Sequence, residues 1–208
     1  MRVLIACEFS GVVRRAFAAL GHDAWSCDLL PAEDGGPHLQ CDAISAAEAG
    51  KWDLMIAHPP CTFLAVSGAR WFKDRRTEQA LAIWFARRLG EMANIARVAV
   101  ENPIGVLSTQ WRKPDQILQP WQHGHGETKA TCLWLRGLPK LQPTNIVAGR
   151  TARVHYESPG PDRWKRRSRT LQGIADAMAD QWGDADRLAR PFPGMIGRAI
   201  SAAMRTAQ

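Results

Sequence analysis

The chain has 208 residues, 46% of them hydrophobic, enough for one compact domain with a sizeable core and a small appendage but not for two full domains. A formal charge of +7 and a pI near 9.6 favour a polyanionic partner. No apolar run approaches the roughly 20 residues that a bilayer span needs, and the first one is too short and wrongly flanked for a secretory signal, so a cytoplasmic protein with no membrane partner is expected. Five cysteines (Cys7, Cys27, Cys41, Cys61, Cys132) form no CxxC pair and have no histidine at zinc-ligand spacing; they read as reduced thiols rather than metal ligands.

In chain order, RVLIAC (2–7) reads as a strand, and VVRRAFAAL (12–20) has helical periodicity and stops at Gly21. DAWSCDLL (23–30) is a second strand ending at an acid, followed by the turn-rich PAEDGGPH. WDLMIAH (52–58) is a third strand, 77–95 a long helix, ARVAVENP (96–103) a fourth strand and ATCLWLRGL (130–138) a fifth. TLQGIADAMADQW (170–182) is a late helix, and IGRAISAAMR (196–205) reads as another with no assigned role. Strands alternating with helices predict an α/β fold, a mostly parallel sheet covered on both faces. Ligands of such sheets bind at the carboxyl ends of the strands, so the residues that close each strand carry the functional expectation.

The first strand closes in CEFSG, a short Gly-containing turn whose following amides and helix dipole favour an anionic group such as a carboxylate, or which simply connects strand to helix. It is neither GxGxxG nor a Walker loop. Asp28, closing the second strand, is placed to accept from ribose hydroxyls or to cap a turn. Asp42 is placed to meet an adenine amino group or to cap the helix that follows. The third strand delivers His58-Pro59-Pro60-Cys61, in which the prolines leave the loop few conformations; Cys61 is then a held nucleophile or a small packed hydrophobe. Glu101 and Asn102 close the fourth strand on the same rim, and a carboxylate ending so apolar a run is not explained by the core. RWKRRSR (163–169) is a solvated loop or a phosphate-contacting segment.

The order EFSG, an acid after the second strand, PPC, then ENP resembles the DNA cytosine-5 methyltransferases, in a compact version of the phage and prophage kind. The resemblance covers residues 1 to about 140. It departs from the family where PPC is followed by Thr62 rather than glutamine and ENP stands for the commoner Glu-Asn-Val, and where Glu127, Lys129 and Thr131 stand for a glutamine and two arginines. It implies a Rossmann-like methyltransferase fold and S-adenosylmethionine as cofactor, with Phe9, Ser10 and Gly11 near its methionine moiety, Asp28 at the ribose, Asp42 at the adenine, and Glu8 and Pro59 also among its contacts. It also implies that Cys61 attacks cytosine C6 while Glu101 contacts N3 and the exocyclic amine and protonates N3, a role that a raised pKa in a desolvated pocket would suit. Lys129 and Thr131 would contact the substrate near the nucleophile, and Arg70 would meet a phosphate or cap a surface loop. The expected layout is a catalytic core over 1–138, a short basic segment over 139–169 in place of the family's target-recognition region, and a closing helix and tail over 170–208. The implied partner is DNA or a free cytidine nucleotide, and a catalytically inactive nucleic-acid-binding protein is the competing class.

Overall fold

The computed structural model describes residues 1–184; the helix expected in 196–205 lies outside them. One seven-stranded sheet runs in the order β3-β2-β1-β4-β5-β7-β6, from β1 (Arg2–Ala6), β2 (Asp23–Asp28), β3 (His38–Gln40), β4 (Leu54–Ala57), β5 (Arg97–Pro103), β6 (Gln116–Leu118) and β7 (Thr131–Arg136). The five strands from β3 to β5 are parallel, and β7 is antiparallel to both of its neighbours.

Strict alternation along the central strands divides the core in two. Leu4 and Ala6 of β1, Met55 and Ala57 of β4, and Val98 and Val100 of β5 face α2 (Ala43–Ala49) and α3 (Arg76–Gly90). Val3, Ile5, Leu54, Ile56 and Ala99 face α1 (Val12–Ala19) and α6 (Gln172–Gly183). Strands buried on both faces read as unbroken apolar runs, which is why these were visible in the sequence. The result is a Rossmann-like α/β fold with helices on both faces.

The three-residue strands β3 and β6 are too short to show a period, and the sequence reading did not separate them. The expected fifth strand is β7, seventh in chain order and reversed. Further helical pieces are a 3-10 stretch over Val66–Asp74, α4 (Leu107–Gln110) and α5 (Arg163–Ser168). The basic run read as a loop is therefore partly the short helix α5, none of whose residues is buried. Between 139 and 169 only Leu141 is buried, so this interval has no core of its own. It is tied instead to the loop before β7 by the Glu127–Arg153 ion pair (2.9 Å).

Candidate active site

The turn after β1 is built around Glu8. Its carboxylate, 5% exposed, accepts from the amides of Val13 (2.7 Å) and Arg14 (3.2 Å), and the Ser10 hydroxyl approaches it at 3.4 Å. The α1 amides that could receive a ligand's anionic group are thus taken by the chain itself, because a side chain four residues before the first helical residue folds back over the helix N-terminus. Gly11 caps the helix at φ 68°, and a Cβ there would collide with the Asp34 carboxylate. Cys7 also has a positive φ, 60°, rare for a residue with a side chain and a source of local strain at the end of β1.

On the neighbouring strand, β4 ends at Ala57 and the chain enters His58-Pro59-Pro60-Cys61. The loop is pinned from β5. Asn102, 1% exposed, donates from Nδ2 to the Pro59 carbonyl at 2.7 Å. Further along, the Val66 amide donates to Ile104 O (3.1 Å) and the Val106 amide to Leu64 O (2.9 Å). That pairing brings Gly105 so close that a Cβ would lie 1.9 Å from Leu64 O. The amides of Leu64 and Ala65 both donate to the Cys61 carbonyl (3.0 and 2.9 Å), closing a tight turn under the thiol. Two prolines and this cross-strand clamp leave Cys61 few ways to move.

Pairing of β4 with β5 sets Glu101 beside that loop, and the reversal of β7 completes the rim. Pro103 pairs with Thr131 and Asn102 with Cys132, so β7 begins where β5 ends and Lys129 arrives at the same place. Glu8, Phe9, Ser10, Pro59, Cys61, Glu101 and Lys129 share one cavity of about 110 Å³ with Cys7, His58 and Arg167. Thr131 lies behind it, 4% exposed, donating to the Lys129 carbonyl (3.0 Å). Asp28 and Asp42 stand outside this cavity at the ends of β2 and β3, near enough that, after burial, their charges help push the Cys7 thiol far above its usual range. Asp42 caps α2, accepting the Ser45 amide at 3.0 Å. Arg70 sits in the 3-10 stretch with its guanidinium 5.0 Å from the Trp71 ring centre.

The electrostatics differ from expectation at one position. Burial alone would raise the Glu101 pKa, but the hydrogen bond and charge of His58 and the charge of Lys129 outweigh it, and the carboxyl is held below its ordinary value. Cys61 moves the other way. Although the residue is exposed at the rim, desolvation of its sulfur and then the Glu101 charge push the thiol up, against the opposing charges of Lys129 and Arg167.

Residues 167–170 form the cavity's outer wall. Lys129 Nζ donates to the carbonyls of Arg167 (3.0 Å) and Arg169 (3.3 Å), Arg169 pairs with Glu33 (2.7 Å), and Trp164 packs on Phe9 with ring centres 5.7 Å apart. The sequence reading did not anticipate that this segment lies over the cavity, nor the contacts of His58. A lone histidine before two prolines carries no period or motif that would announce its partner.

No family model matches the sequence, and no curated protein matches it. Among solved structures the chain is similar to a protein described as a DNA modification methyltransferase encoded within an E. coli prophage (16% identity, TM-score 0.48) and to a mutant DNMT2 of Spodoptera frugiperda (14% identity, TM-score 0.46). Each match covers 76% of this chain, which spans 55% of the first protein's length and 59% of the second's. No helix among the described residues is long and apolar enough to cross a membrane.

Proposed function

We propose that the protein transfers a methyl group from S-adenosylmethionine to C5 of cytosine in DNA through a covalent bond between Cys61 and C6. The observation that carries this reading is a clamped cysteine and a half-buried, ionised glutamate facing one cavity from adjacent strand ends. Cytosine C5 is a poor nucleophile; addition of the Cys61 sulfur at C6 makes it enamine-like, splitting one difficult step into two. Glu101 meets N3 and the exocyclic amine, Lys129 supplies positive charge beside the ring, and loss of the C5 proton afterwards expels Cys61.

The residues at the strand ends suit the cofactor. Asp28 Oδ1 accepts the Leu30 amide at 3.0 Å, while its second oxygen accepts no hydrogen bond from the described residues, leaving an acceptor for a ribose hydroxyl. Phe9 and Ser10 would flank the methionine end. Asp42, engaged in capping α2, has less to offer an adenine. When bound, the cofactor supplies an electrophilic methyl group on sulfonium. The cations of α5, Arg167 among them and none of them buried, favour a phosphate backbone, which gives affinity without base readout, in keeping with the absence of a core in 139–169.

Incubation with S-adenosylmethionine and either a 5-fluorocytosine duplex or 5-fluoro-dCMP tests the reading by mass spectrometry, because fluorine cannot leave as the proton does. A Cys61 adduct on the duplex supports it, an adduct on the nucleotide alone moves the substrate to the nucleotide pool, and no adduct with either in protein that binds the cofactor refutes the Cys61 mechanism.

A further inference from the structure

We infer that His58 is a positioning residue that keeps the Glu101 carboxylate ionised and oriented in the resting site, so that the proton later given to the substrate ring starts on Cys61. The inference rests on the reading of Cys61 as nucleophile and Glu101 as the group that meets N3.

His58 follows β4 directly, its side chain 11% exposed, with Nδ1 3.1 Å from Glu101 Oε2. A carboxylate only accepts hydrogen bonds, so Nδ1 carries the hydrogen and donates. Nε2 is buried and has no hydrogen-bond partner among the described residues. A ring that leaves one nitrogen orphaned gains nothing from packing that an apolar side chain would not give at lower cost. Among the described residues its one hydrogen-bond partner is Glu101.

The other groups facing this carboxyl complete the account. Lys129 and Thr131 approach from the start of β7, Cys132 lies within reach of the Glu101 charge, and Cys61 comes from the loop, with Arg167 facing Cys61 from the covering segment. Donor and cation hold Glu101 ionised despite burial, and the resulting charge helps keep the proton on the Cys61 sulfur. The site therefore rests with one shared proton, on the thiol. When a cytosine enters, that proton passes from sulfur to Glu101, and the sulfur electron pair forms the S–C6 bond. The C5=C6 pair moves to C4=C5, the C4=N3 pair moves onto N3, and N3 takes the proton from Glu101. The carboxylate is regenerated with His58 still donating, and no proton from solvent is consumed.

The test uses protein carrying ¹³C-carboxyl glutamate, with the Glu101 signal assigned by Glu101→Gln, and the pH dependence of Cys61 alkylation by iodoacetamide read on its peptide. In His58→Ala the Glu101 titration should move up and the Cys61 alkylation curve down, with fluorocytosine adduct formation slowed about 10²-fold at neutral pH. His58→Asn, whose side-chain nitrogen stands where Nδ1 does, should restore all three. Unmoved titrations in a folded His58→Ala protein, or an Asn variant no better than Ala, would overturn the inference. If the titrations move but wild-type protein forms no adduct, the nucleophile reading fails and the control of Glu101 by His58 stands.

Discussion

Replacing Asn102 by alanine tests whether the clamp on the Pro-Pro-Cys loop is what places the thiol. The substitution removes the donor to Pro59 O, a 2.7 Å bond made by a residue that is 1% exposed. A buried carbonyl left unpaired costs about 1–3 kcal/mol. Asn102 Oδ1 is itself buried without a partner among the described residues, and its removal returns part of that cost, which places the net loss at about 1–2 kcal/mol. For a chain of this size that is a fall in melting temperature of about 2–8 °C. A domain with about 5–15 kcal/mol of stability remains folded at 25 °C after such a loss, so any change in adduct rate there reports the loop and not unfolding. A sulfur displaced by about 1 Å slows its reaction on the order of 10²-fold. The assay pairs calorimetry with the rate of fluorocytosine adduct formation on Cys61. An Asn102→Ala protein with the lowered melting temperature but an undiminished adduct rate would show that the prolines alone hold the thiol and that the clamp is structural.

Three further outcomes are expected. Glu8→Ala frees the α1 amides and should cost about 1–2 kcal/mol, read as a lowered urea midpoint with an unchanged m-value. Asp34 is held below its ordinary pKa: burial opposes this, but the Gly36 amide, the Arg15 hydrogen bond and the Arg14 and Arg15 charges prevail, as His58 does for Glu101. Groups with depressed folded values stabilise the protein above the unfolded carboxylate pKa and lose that contribution as pH falls through the folded one, so Asp34→Asn should flatten the acid limb of stability against pH. Arg167→Ala should weaken duplex binding uniformly across sequences and reduce the magnitude of the salt slope by about 1, and an unchanged slope would remove Arg167 from the phosphate contacts.

The central strands and the pairing of Cys61 with Glu101 were legible because both follow from one rule: apolar runs such as RVLIA and LMIA fix the strands, and residues that close adjacent parallel strands meet on one rim. What was not legible depends on contacts between distant segments. The reversal of β7 leaves no mark in TCLWLR, whose apolar character is the same in either direction, yet it is what delivers Lys129. The CEFSG turn leaves an anion site and a plain connection both open in the sequence, because nothing there says that Glu8 folds back onto the helix it precedes. A raised pKa for Glu101 follows from the apolar run that it closes, whereas the His58 contact that opposes it leaves no mark in the sequence.

The covering segment follows the same logic and bears on access. Ligand pockets enclose roughly 300–1,000 Å³, whereas the cavity between Phe9 and Cys61, which leaves Asp28 and Asp42 outside, holds about 110 Å³. Under the proposed function, a base and the methionine end of the cofactor enter this cavity together only if residues 167–170 withdraw. Three contacts oppose that: Lys129 on two backbone carbonyls, the Arg169–Glu33 pair and the Trp164–Phe9 packing. Arg169 and Glu33 are 44% and 31% exposed, so their pair is worth about 1 kcal/mol or less, and the other two contacts are of the same order. Opening then costs a few kcal/mol, within what a nucleic-acid backbone and a buried base can return on binding. Withdrawal also frees the Lys129 ammonium from the carbonyls of Arg167 and Arg169, so the movement that admits the base is the one that releases the cation meant to meet it.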